Sequence, residues 1–302
     1  MSLVEKALRK LQESAPRVAQ ASAPAQQHAQ PAVRDRETGV QHVTPPATPA
    51  RSVFLNVPAL RAAGVLPPEH EERKLAQQYR QIKRPLILNA TGRGTTRIAN
   101  GHLIMVASAM PGEGKTFTAM NLALSMSIEK DVHVLLVDAD VAKPHITHLL
   151  GLSEAPGLLD VLREPALDVE GLILATDVPN LFVLPAGTPS AEATELLASV
   201  RMEQVIRALG RRDQQCLMLF DSPPLLQTTE SRAISHVAGQ IVVVVRAGST
   251  PQQVLLDALS YLSDHPAVSL VLNQSMTSSP DAYYQGGYGD SRPAEAQPQP
   301  LR

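Results

Sequence analysis

Ala109-Met110-Pro111-Gly112-Glu113-Gly114-Lys115-Thr116 is the stretch that decides the fold of this chain. An apolar run, residues 103–108, precedes it, and an apolar, helix-like stretch, residues 117–128, follows it. A strand, a glycine-containing loop ending in Gly-Lys-Thr and a helix form the context of a phosphate-binding P-loop. The N–H groups of such a loop and of the helix N-terminus bind anions because they carry partial positive charge. Ala109 stands where the usual pattern has its first glycine.

Two further apolar runs end in acidic residues. The first leads to Asp138 and Asp140, and the second leads to Asp221. Because ligands of open α/β sheets bind at the carboxyl ends of the parallel strands, these carboxylates are predicted to lie beside the Gly-Lys-Thr turn. Each Asp taken alone could be a helix cap or a turn residue. Three strands that end in this way instead predict oxygen ligands and positive charge gathered for a magnesium-bound nucleotide.

The predicted cofactors are therefore ATP and Mg²⁺. The predicted nucleotide-binding residues come from the loop, the first turn of its helix and two strand ends, namely Met110, Pro111, Gly112, Glu113, Gly114, Lys115, Thr116, Phe117, Asp221 and Asn273. The predicted magnesium ligands, direct or through water, are Thr116, Asp138 and Asp221. Asn273 follows the last predicted strand, where it could contact adenine or form a turn.

Apolar strand patterns alternate with helical patterns through the central part of the chain. This alternation predicts the α/β class, with a P-loop NTPase fold whose mostly parallel sheet is covered by helices on both faces. The predicted strands are residues 86–89, 103–108, 132–137, 181–184, 217–220, 241–246 and 268–272. The predicted helices are residues 69–83, 115–128, 158–163, 191–197, 201–211, 230–236 and 252–263.

Composition divides the chain into four predicted segments. Residues 1–12 have the apolar spacing of a short amphipathic helix, which could dock on a partner or a membrane surface or could be a frayed terminus. Residues 13–50 are rich in Ala, Pro and Gln and are predicted to be a disordered linker. Residues 51–274 form the predicted P-loop domain with an N-terminal helical extension. Residues 275–302 are predicted to be a flexible, tyrosine-bearing tail.

Charge, hydropathy and cysteine content indicate which kinds of partner and which cellular compartment to expect. The chain has 302 residues and a formal net charge of −2, which gives no reason to expect nucleic-acid binding. No apolar run approaches the ~18 residues that a membrane helix needs, and no secretory signal is visible. The single cysteine, Cys216, fits a reducing compartment. These features predict a cytoplasmic protein.

The chain resembles the bacterial P-loop tyrosine kinases of capsule and exopolysaccharide export. More narrowly, it resembles the tyrosine autokinases of exosortase-linked polysaccharide systems. The motifs that carry the resemblance are Walker A at residues 108–116, Walker A′ at residues 137–144, Walker B at residues 220–224 and a C-terminal tyrosine cluster at residues 283–288.

This resemblance implies an ATP-dependent protein-tyrosine autokinase. The implied phosphoacceptors are Tyr283, Tyr284 and Tyr288. Lys115 would stabilise charge on the transferring phosphoryl group, while Asp138 or Asp140 would orient the tyrosine hydroxyl and accept its proton. The family points to Asp138 for the last role, whereas the residues alone leave both open.

The resemblance also implies partners and a place in the cell. The implied activator is a separate membrane chain-length determinant, a polysaccharide co-polymerase, which would recruit the kinase to the inner face of the cytoplasmic membrane. A homo-oligomer and an opposing protein-tyrosine phosphatase are the other implied partners. Phosphorylation would then regulate exopolysaccharide polymerisation and export.

Two departures from the family pattern leave alternatives open. Ala142 stands where the family usually has Arg, and the nearest match to its ring-forming Glu-x-x-Arg-x-x-Arg segment is Gln77-x-x-Arg80-x-x-Lys83. One alternative is a partitioning or positioning ATPase, a class that carries a second lysine at the position of Met110. The other is a non-catalytic adaptor that binds ATP only to change shape.

Overall fold

Eight strands form one sheet in the computed structural model of this protein, which describes residues 51–94, 98–212 and 215–275. The strands are β1 Ser52–Val53, β2 Leu103–Ser108, β3 His133–Asp138, β4 Leu174–Thr176, β5 Leu181–Leu184, β6 Cys216–Asp221, β7 Gln240–Arg246 and β8 Val268–Asn273. Their order across the sheet is β1-β4-β5-β3-β6-β2-β7-β8. Every neighbouring pair is parallel except β4 and β5, which are antiparallel. The predicted P-loop NTPase fold with a mostly parallel sheet is confirmed.

The described helices connect the strands. They are α1 Val57–Ala62, α2 Glu72–Ala90, α3 Lys115–Ser127, α4 His145–Leu149, α5 Leu158–Arg163, α6 Ala193–Leu197, α7 Val200–Arg212, α8 Glu230–Val237 and α9 Gln252–Ser260. A 3₁₀ turn, Val169–Leu172, precedes β4. The segments α4, β1 and β4 are too short to show a periodic pattern, and none of them was predicted.

The core lies on both faces of the sheet because the central strands are buried on both sides. Along β2, Leu103 and Met105 point into one apolar cluster, whereas Ile104 and Val106 point into the other. This alternation follows from the two-residue period of a strand. Each fully buried aliphatic side chain of this kind contributes about 1.5–3 kcal/mol to folding. The strand ends that carry the site residues therefore extend from a rigid centre.

Residues 86–89 were predicted to form a strand, and this prediction is wrong because they are the last turn of α2. The helix continues through Pro85, whose missing N–H leaves only the carbonyl of exposed Gln81 without its usual helical partner. Leu86 is buried, and the Gln240 side-chain amide donates to its carbonyl at 3.0 Å. Packing against β7 thus outweighs the strand-like local pattern.

The segment before α2 is fastened to the helix that follows the P-loop. Leu60 and Val65 are buried in the same apolar cluster as α3 residues. The Asn121 side-chain amide donates to the Val65 carbonyl at 2.9 Å and to the Phe117 carbonyl at 2.7 Å. Among the described helices, none combines the length and the apolar character needed to cross a lipid bilayer.

Candidate functional site

The sheet order brings three functional strand ends side by side. Strand β6 lies between β3 and β2, and Asp138 at the end of β3 is the direct cross-strand partner of Asp221 at the end of β6. Asp221 is also paired in register with Val106, two residues before β2 ends at Ser108. Neighbouring strands lie about 4.8 Å apart, so the two carboxylates and the start of the P-loop share one edge of the sheet.

The loop after β2 has the backbone shape that a phosphate cradle requires. Gly112 and Gly114 adopt φ values of 78° and 98°, a left-handed region that residues with a Cβ atom rarely enter. Gly114 caps the N-terminus of α3, which begins at Lys115. The helix therefore directs its first N–H groups at the loop. Lys115, its first residue, is buried and only 8% exposed.

Glu113 closes the loop on itself and ties it to the neighbouring strands. Its carboxylate accepts the Met110 N–H at 2.7 Å and the Thr250 hydroxyl, and its side chain is buried. The Asn273 side-chain amide donates to the Glu113 carbonyl at 2.9 Å. Asn273 thus lies beside the loop and supports its backbone. Its predicted contact with adenine would have to form while this hydrogen bond to Glu113 is kept.

The carboxylates at this edge are buried and only partly paired. Neither oxygen of Asp221 accepts a hydrogen bond of ordinary geometry, although the Thr116 hydroxyl lies nearby, and Oδ1 of Asp138 also has no partner. Burial raises the pKa of Asp221 to about 8, and the nearby Asp138 adds to the shift, while Thr116 and Lys115 oppose it. Burial also raises the pKa of Asp138 to about 7. The pKa of Asp140 is raised by burial and by Glu230, against the opposing charges of Lys115 and Lys143.

These unpartnered oxygens fit a hard divalent cation. Three buried carboxylate oxygens without partners are costly unless a cation or a proton satisfies them. Within residues 51–94, 98–212 and 215–275, no group of three or more His, Cys, Asp or Glu side chains is arranged to hold a metal by itself. Mg²⁺ commonly binds one or two carboxylates together with substrate phosphates. Asp221, Asp138 and the Thr116 hydroxyl are therefore suited to Mg²⁺ that arrives with a nucleotide.

Thr147, on α4, holds Asp138 in place, and sequence reasoning missed it. Its N–H and its hydroxyl donate to Oδ2 of Asp138 at 2.8 and 2.7 Å. The hydroxyl in turn accepts the N–H of Ala186, just after β5, at 3.0 Å. Only the proximity of Thr147 to the Walker A′-like motif could have suggested the contact, because the pairing depends on how α4 folds back.

A further buried carboxylate, Asp160, joins two loops near the site. Its Oδ2 accepts the N–H groups of Gly157 and Thr188, both at 2.9 Å, and its Oδ1 accepts Arg163 at 2.8 Å. The start of α5 and the loop after β5 are thereby joined beside the Thr147–Ala186 contact.

The segment that is the nearest match to the family's ring-forming motif is split by burial. Gln77 and Arg80 are exposed on α2, whereas Lys83 is buried. The Lys83 ammonium donates to the Ser125 carbonyl near the end of α3 and pairs with Glu129 at 2.8 Å. The third position of the segment is therefore engaged within its own subunit.

The structure brings together most of the predicted site residues. Met110, Pro111 and Gly112 lie on the exposed rim of the loop, and Thr116 and Phe117 are half-buried in the first turn of α3. Their predicted roles, and those of the Asp residues, remain predictions. Three predicted parts of the chain lie outside the described residues. They are the N-terminal segments 1–12 and 13–50, the tail from residue 276 onward, and, within that tail, the predicted acceptors Tyr283, Tyr284 and Tyr288.

Comparison with known proteins places the chain among similar kinases. The family model described as "AAA domain" matches residues 101–263. The tyrosine-protein kinase YwqD of Bacillus subtilis (strain 168) is 31% identical over 179 residues, which cover 59% of this chain and 71% of YwqD. The tyrosine-protein kinase wzc of Salmonella typhimurium (strain LT2) is 32% identical over 149 residues, covering 49% of this chain and 20% of wzc.

A solved structure agrees with the sequence comparisons. The kinase domain of VpsO superposes with a TM-score of 0.53 and 26% sequence identity. The superposition covers 66% of this chain and 98% of the VpsO domain. The residues matched by the family model, 101–263, contain the P-loop and the ends of β3 and β6. The chain spans only about a fifth of the length of wzc, so the remainder of that longer protein has no counterpart in the comparison.

Proposed function

This chain belongs to the AAA-domain family and, within it, to the bacterial tyrosine-protein kinases, and we propose that it is an autokinase that phosphorylates its own C-terminal tyrosines. The proposed phosphate donor is ATP with Mg²⁺, and the proposed acceptors are Tyr283, Tyr284 and Tyr288. The observation that carries the proposal is the set of unpartnered carboxylate oxygens on Asp138 and Asp221 next to a P-loop lysine. Such a set has a clear use in phosphoryl transfer.

The chain's own groups suit the nucleotide. The Lys115 ammonium and the N–H groups of residues 112–116 would bind the β- and γ-phosphates. Thr116, Asp221 and Asp138 would hold Mg²⁺, directly or through water. Bound Mg²⁺-ATP supplies the electrophilic γ-phosphorus and a cation that neutralises charge on the phosphate oxygens. The buried position of these groups strengthens their electrostatic effect because water is excluded.

The transfer step needs an acceptor for the phenol proton. The tyrosine oxygen forms a bond to the γ-phosphorus while the bond from that phosphorus to the β–γ bridging oxygen breaks, and ADP leaves with the electron pair. Asp138 would take the phenol proton, since an unperturbed tyrosine has a pKa of ~10 and positioning the hydroxyl is therefore useful. Thr147 keeps the other oxygen of Asp138 fixed. Asp140 is the alternative base.

The biological setting is proposed from the relatives. Similar proteins include the "Succinoglycan biosynthesis transport protein ExoP" of Rhizobium meliloti, 30% identical over 202 residues. We therefore place this kinase in exopolysaccharide synthesis and export. Its proposed activator is a separate membrane-bound polysaccharide co-polymerase, which would bring it to the inner face of the cytoplasmic membrane. A homo-oligomeric state and an opposing protein-tyrosine phosphatase complete the proposed cycle.

Two other functions make different predictions. A partitioning or positioning ATPase would hydrolyse ATP and dimerise with nucleotide without forming phosphotyrosine. A non-catalytic adaptor would bind ATP but neither hydrolyse nor transfer it. The partitioning class carries a lysine at the position of Met110, and the uncharged Met110 side chain cannot bind phosphate as that ammonium does. This difference disfavours the partitioning class.

Phosphotyrosine mass spectrometry of the purified full chain separates the three functions. With Mg²⁺-ATP, the wild-type chain should acquire phosphate on residues 283–288, and Lys115→Met should lose it while keeping a wild-type circular dichroism spectrum. Lys130→Met, the same change at an exposed lysine beyond the C-terminal end of α3, serves as the control and should keep full phosphorylation. Full autophosphorylation of Lys115→Met would overturn the assignment of the site.

A further inference from the structure

Strand β8 has a free edge that lacks the features which usually protect one. Among the described strands, β8 is the last in the sheet order and has β7 as its neighbour on one side. It is six residues long and contains no charged residue and no proline. Its side chains Leu270 and Leu272 are 55% and 63% exposed. Because charges, prolines and short length normally keep an edge strand from pairing, β8 is suited to accept a further strand.

The backbone groups of Leu270 and Leu272 point to this free edge. The carbonyls of Ala267 and Asn273 accept hydrogen bonds from N–H groups in β7 and just after it. Successive residues of a strand direct their N–H and C=O groups to opposite sides, so the odd-numbered residues of β8 face β7 and the even-numbered residues face away from it. A further strand at this edge would therefore find regularly spaced donors and acceptors.

An added strand would have apolar support on both faces of the sheet. On one face, a groove of about 680 Å³ lies between β8 and α2, and the α2 residues Leu75 and Ile82 line it. Leu270 and Leu272 point to the other face, because Leu270 is in register with Val243, which belongs to the apolar cluster on the side away from α2. The inner end of the groove adjoins the P-loop, so an added strand would take its outer part.

The chain itself supplies a segment that fits this edge. Strand β8 ends at Asn273, and Gln274 turns the chain with a φ of 55°. Residues 278–281, Ser-Ser-Pro-Asp, are typical of turns, and residues 282–285, Ala-Tyr-Tyr-Gln, precede two glycines. Tyrosine favours strands, and neighbouring residues of a strand point to opposite faces. The two adjacent tyrosines of residues 282–285 would therefore each meet one of the two apolar surfaces.

The tail reaches this edge more readily than a second copy of the chain does. Only eight residues, 274–281, would form the loop between β8 and a returning strand. A short flexible connection gives a tethered segment an effective concentration of about a millimolar. A separate chain at a concentration of about a micromolar therefore competes roughly a thousandfold less well for the same edge.

We propose that residues 282–285 of the unphosphorylated tail pair with the free edge of β8 as an antiparallel strand, which holds Tyr283 and Tyr284 away from the site of phosphoryl transfer. The added strand would lie five strand spacings, or about 24 Å, from β3, which ends at Asp138. Transfer to these tyrosines therefore requires the tail to leave β8. The pairing is independent of the proposed function, and only its effect on autophosphorylation rests on that function.

Phosphorylation would prevent the tail from returning to β8. A phosphate adds a charge of about −1.5 to −2 to the tyrosine that carries it. The groove offers no net positive charge, since its lining contains one acid, Glu71, and one base, Lys74. Burial of a phosphorylated ring against Leu75, Ile82 or Leu270 is therefore unfavourable. The edge of β8 thus retains unmodified tyrosines and releases modified ones.

Hydrogen exchange at the edge of β8 tests the pairing in the full chain, which is first dephosphorylated with a phosphatase and freed of nucleotide. The tail variant carries Ala282→Pro and Gln285→Pro, which keep every tyrosine. Because one position is even and the other odd, one of the two prolines removes a pairing N–H in either register. The outward N–H groups of β8 should then exchange about tenfold faster than in the wild type. The matched control carries Ala294→Pro and Gln297→Pro, beyond the two glycines, and should exchange like the wild type. Equal exchange in all three proteins overturns the pairing, whether the edge is open in each of them or is covered by a second copy.

The initial rate of autophosphorylation tests the consequence with the tail sequence intact. Leu270→Lys places a charge at the free edge and should raise this rate about fivefold, because the tail leaves β8 more often. Leu256→Lys, at an exposed leucine of α9, is the matched control and should keep the wild-type rate. If the tail prolines accelerate exchange but Leu270→Lys leaves the rate unchanged, the effect on autophosphorylation is overturned and the pairing stands. If no protein forms phosphotyrosine, the proposed function fails, while the exchange measurement still decides the pairing.

Discussion

Thr147 donates both its N–H and its hydroxyl to the same oxygen of Asp138, at 2.8 and 2.7 Å. Oδ1 of Asp138 is left without a partner. One oxygen is therefore fixed by the protein, and the other remains available to a cation or to a proton from the acceptor. We regard Thr147 as a residue that positions the candidate base.

Thr147→Val tests this positioning role. Because a hydroxyl donor to a carboxylate lowers its pKa, loss of the donor should raise the pKa of Asp138 above about 7. The acidic limb of the kcat–pH profile should then shift to higher pH, and kcat near neutral pH should fall about tenfold. Thr147→Ser keeps the hydroxyl and should retain the wild-type profile. A profile that is identical in the Val and Ser variants would contradict the role.

Asp221→Asn should change how stability depends on pH. The pKa of Asp221 is about 8 in the folded state, well above its value in the unfolded chain, so the folded state binds a proton more tightly. In the nucleotide-free wild type, the contribution of Asp221 to stability should therefore be most favourable at acidic pH. It should fall as the pH rises above about 4 and level off beyond pH 8. The Asn variant lacks this loss.

The measurement is thermal unfolding of both proteins from pH 5 to pH 9 without divalent cations. The Tm of Asp221→Asn should exceed that of the wild type by a margin that widens as pH rises. Asp257→Asn, which changes an exposed carboxylate on α9, is the control and should follow the wild type. A margin that is constant or narrows with pH would contradict the raised pKa.

Thr250→Val should weaken nucleotide binding through Glu113. The Thr250 hydroxyl donates to the buried carboxylate of Glu113, which also accepts the Met110 N–H of the loop. Removal of the hydroxyl leaves one oxygen of that carboxylate unpaired, so the loop should lose its fixed shape and the Kd for Mg²⁺-ATP should rise about fivefold to tenfold. Thr250→Ser should bind like the wild type. Equal affinities for the Val and Ser variants would exclude this role for the hydroxyl.

Lys83→Met should reduce stability without requiring any change in assembly. Met keeps the apolar stem but cannot donate to the Ser125 carbonyl or pair with Glu129. The expected loss is about 1–3 kcal/mol in the free energy of unfolding, measured by urea titration. Arg80→Met, at an exposed position one turn earlier, is the control and should cost little. A variant that unfolds like the wild type but no longer self-associates would show that Lys83 acts between subunits.

Local sequence patterns predicted the parts of the site that depend on local structure. The P-loop needs glycines at particular positions, and a buried strand that ends in Asp138 or Asp221 is visible as an apolar run followed by an acid. Parallel strands then bring those ends to one edge by topology alone. The general fold and the grouping of these residues could therefore be predicted from the sequence.

The contacts that support the site could not be predicted from the sequence, because they join distant parts of the chain. Thr250 and Glu113 are 137 residues apart, and the Lys83–Ser125 contact spans 42. No periodic pattern records such a pairing. The same limit explains the error at residues 86–89, where a contact between Leu86 and Gln240, 154 residues away, supports a helix that Pro85 locally disfavours.

The central claim is that Lys115 and the carboxylates of Asp138 and Asp221 form one site for a magnesium-bound triphosphate. Isothermal titration of ATP into the full wild-type chain, with Mg²⁺ and with EDTA, tests it most directly, with Lys115→Met and Asp221→Asn measured in parallel. The account predicts that the wild type binds ATP saturably and more tightly with Mg²⁺ than with EDTA. Lys115→Met should not bind, and Asp221→Asn should bind equally with Mg²⁺ and with EDTA. No binding by the wild type, or equal binding by all three proteins with and without the cation, would contradict it.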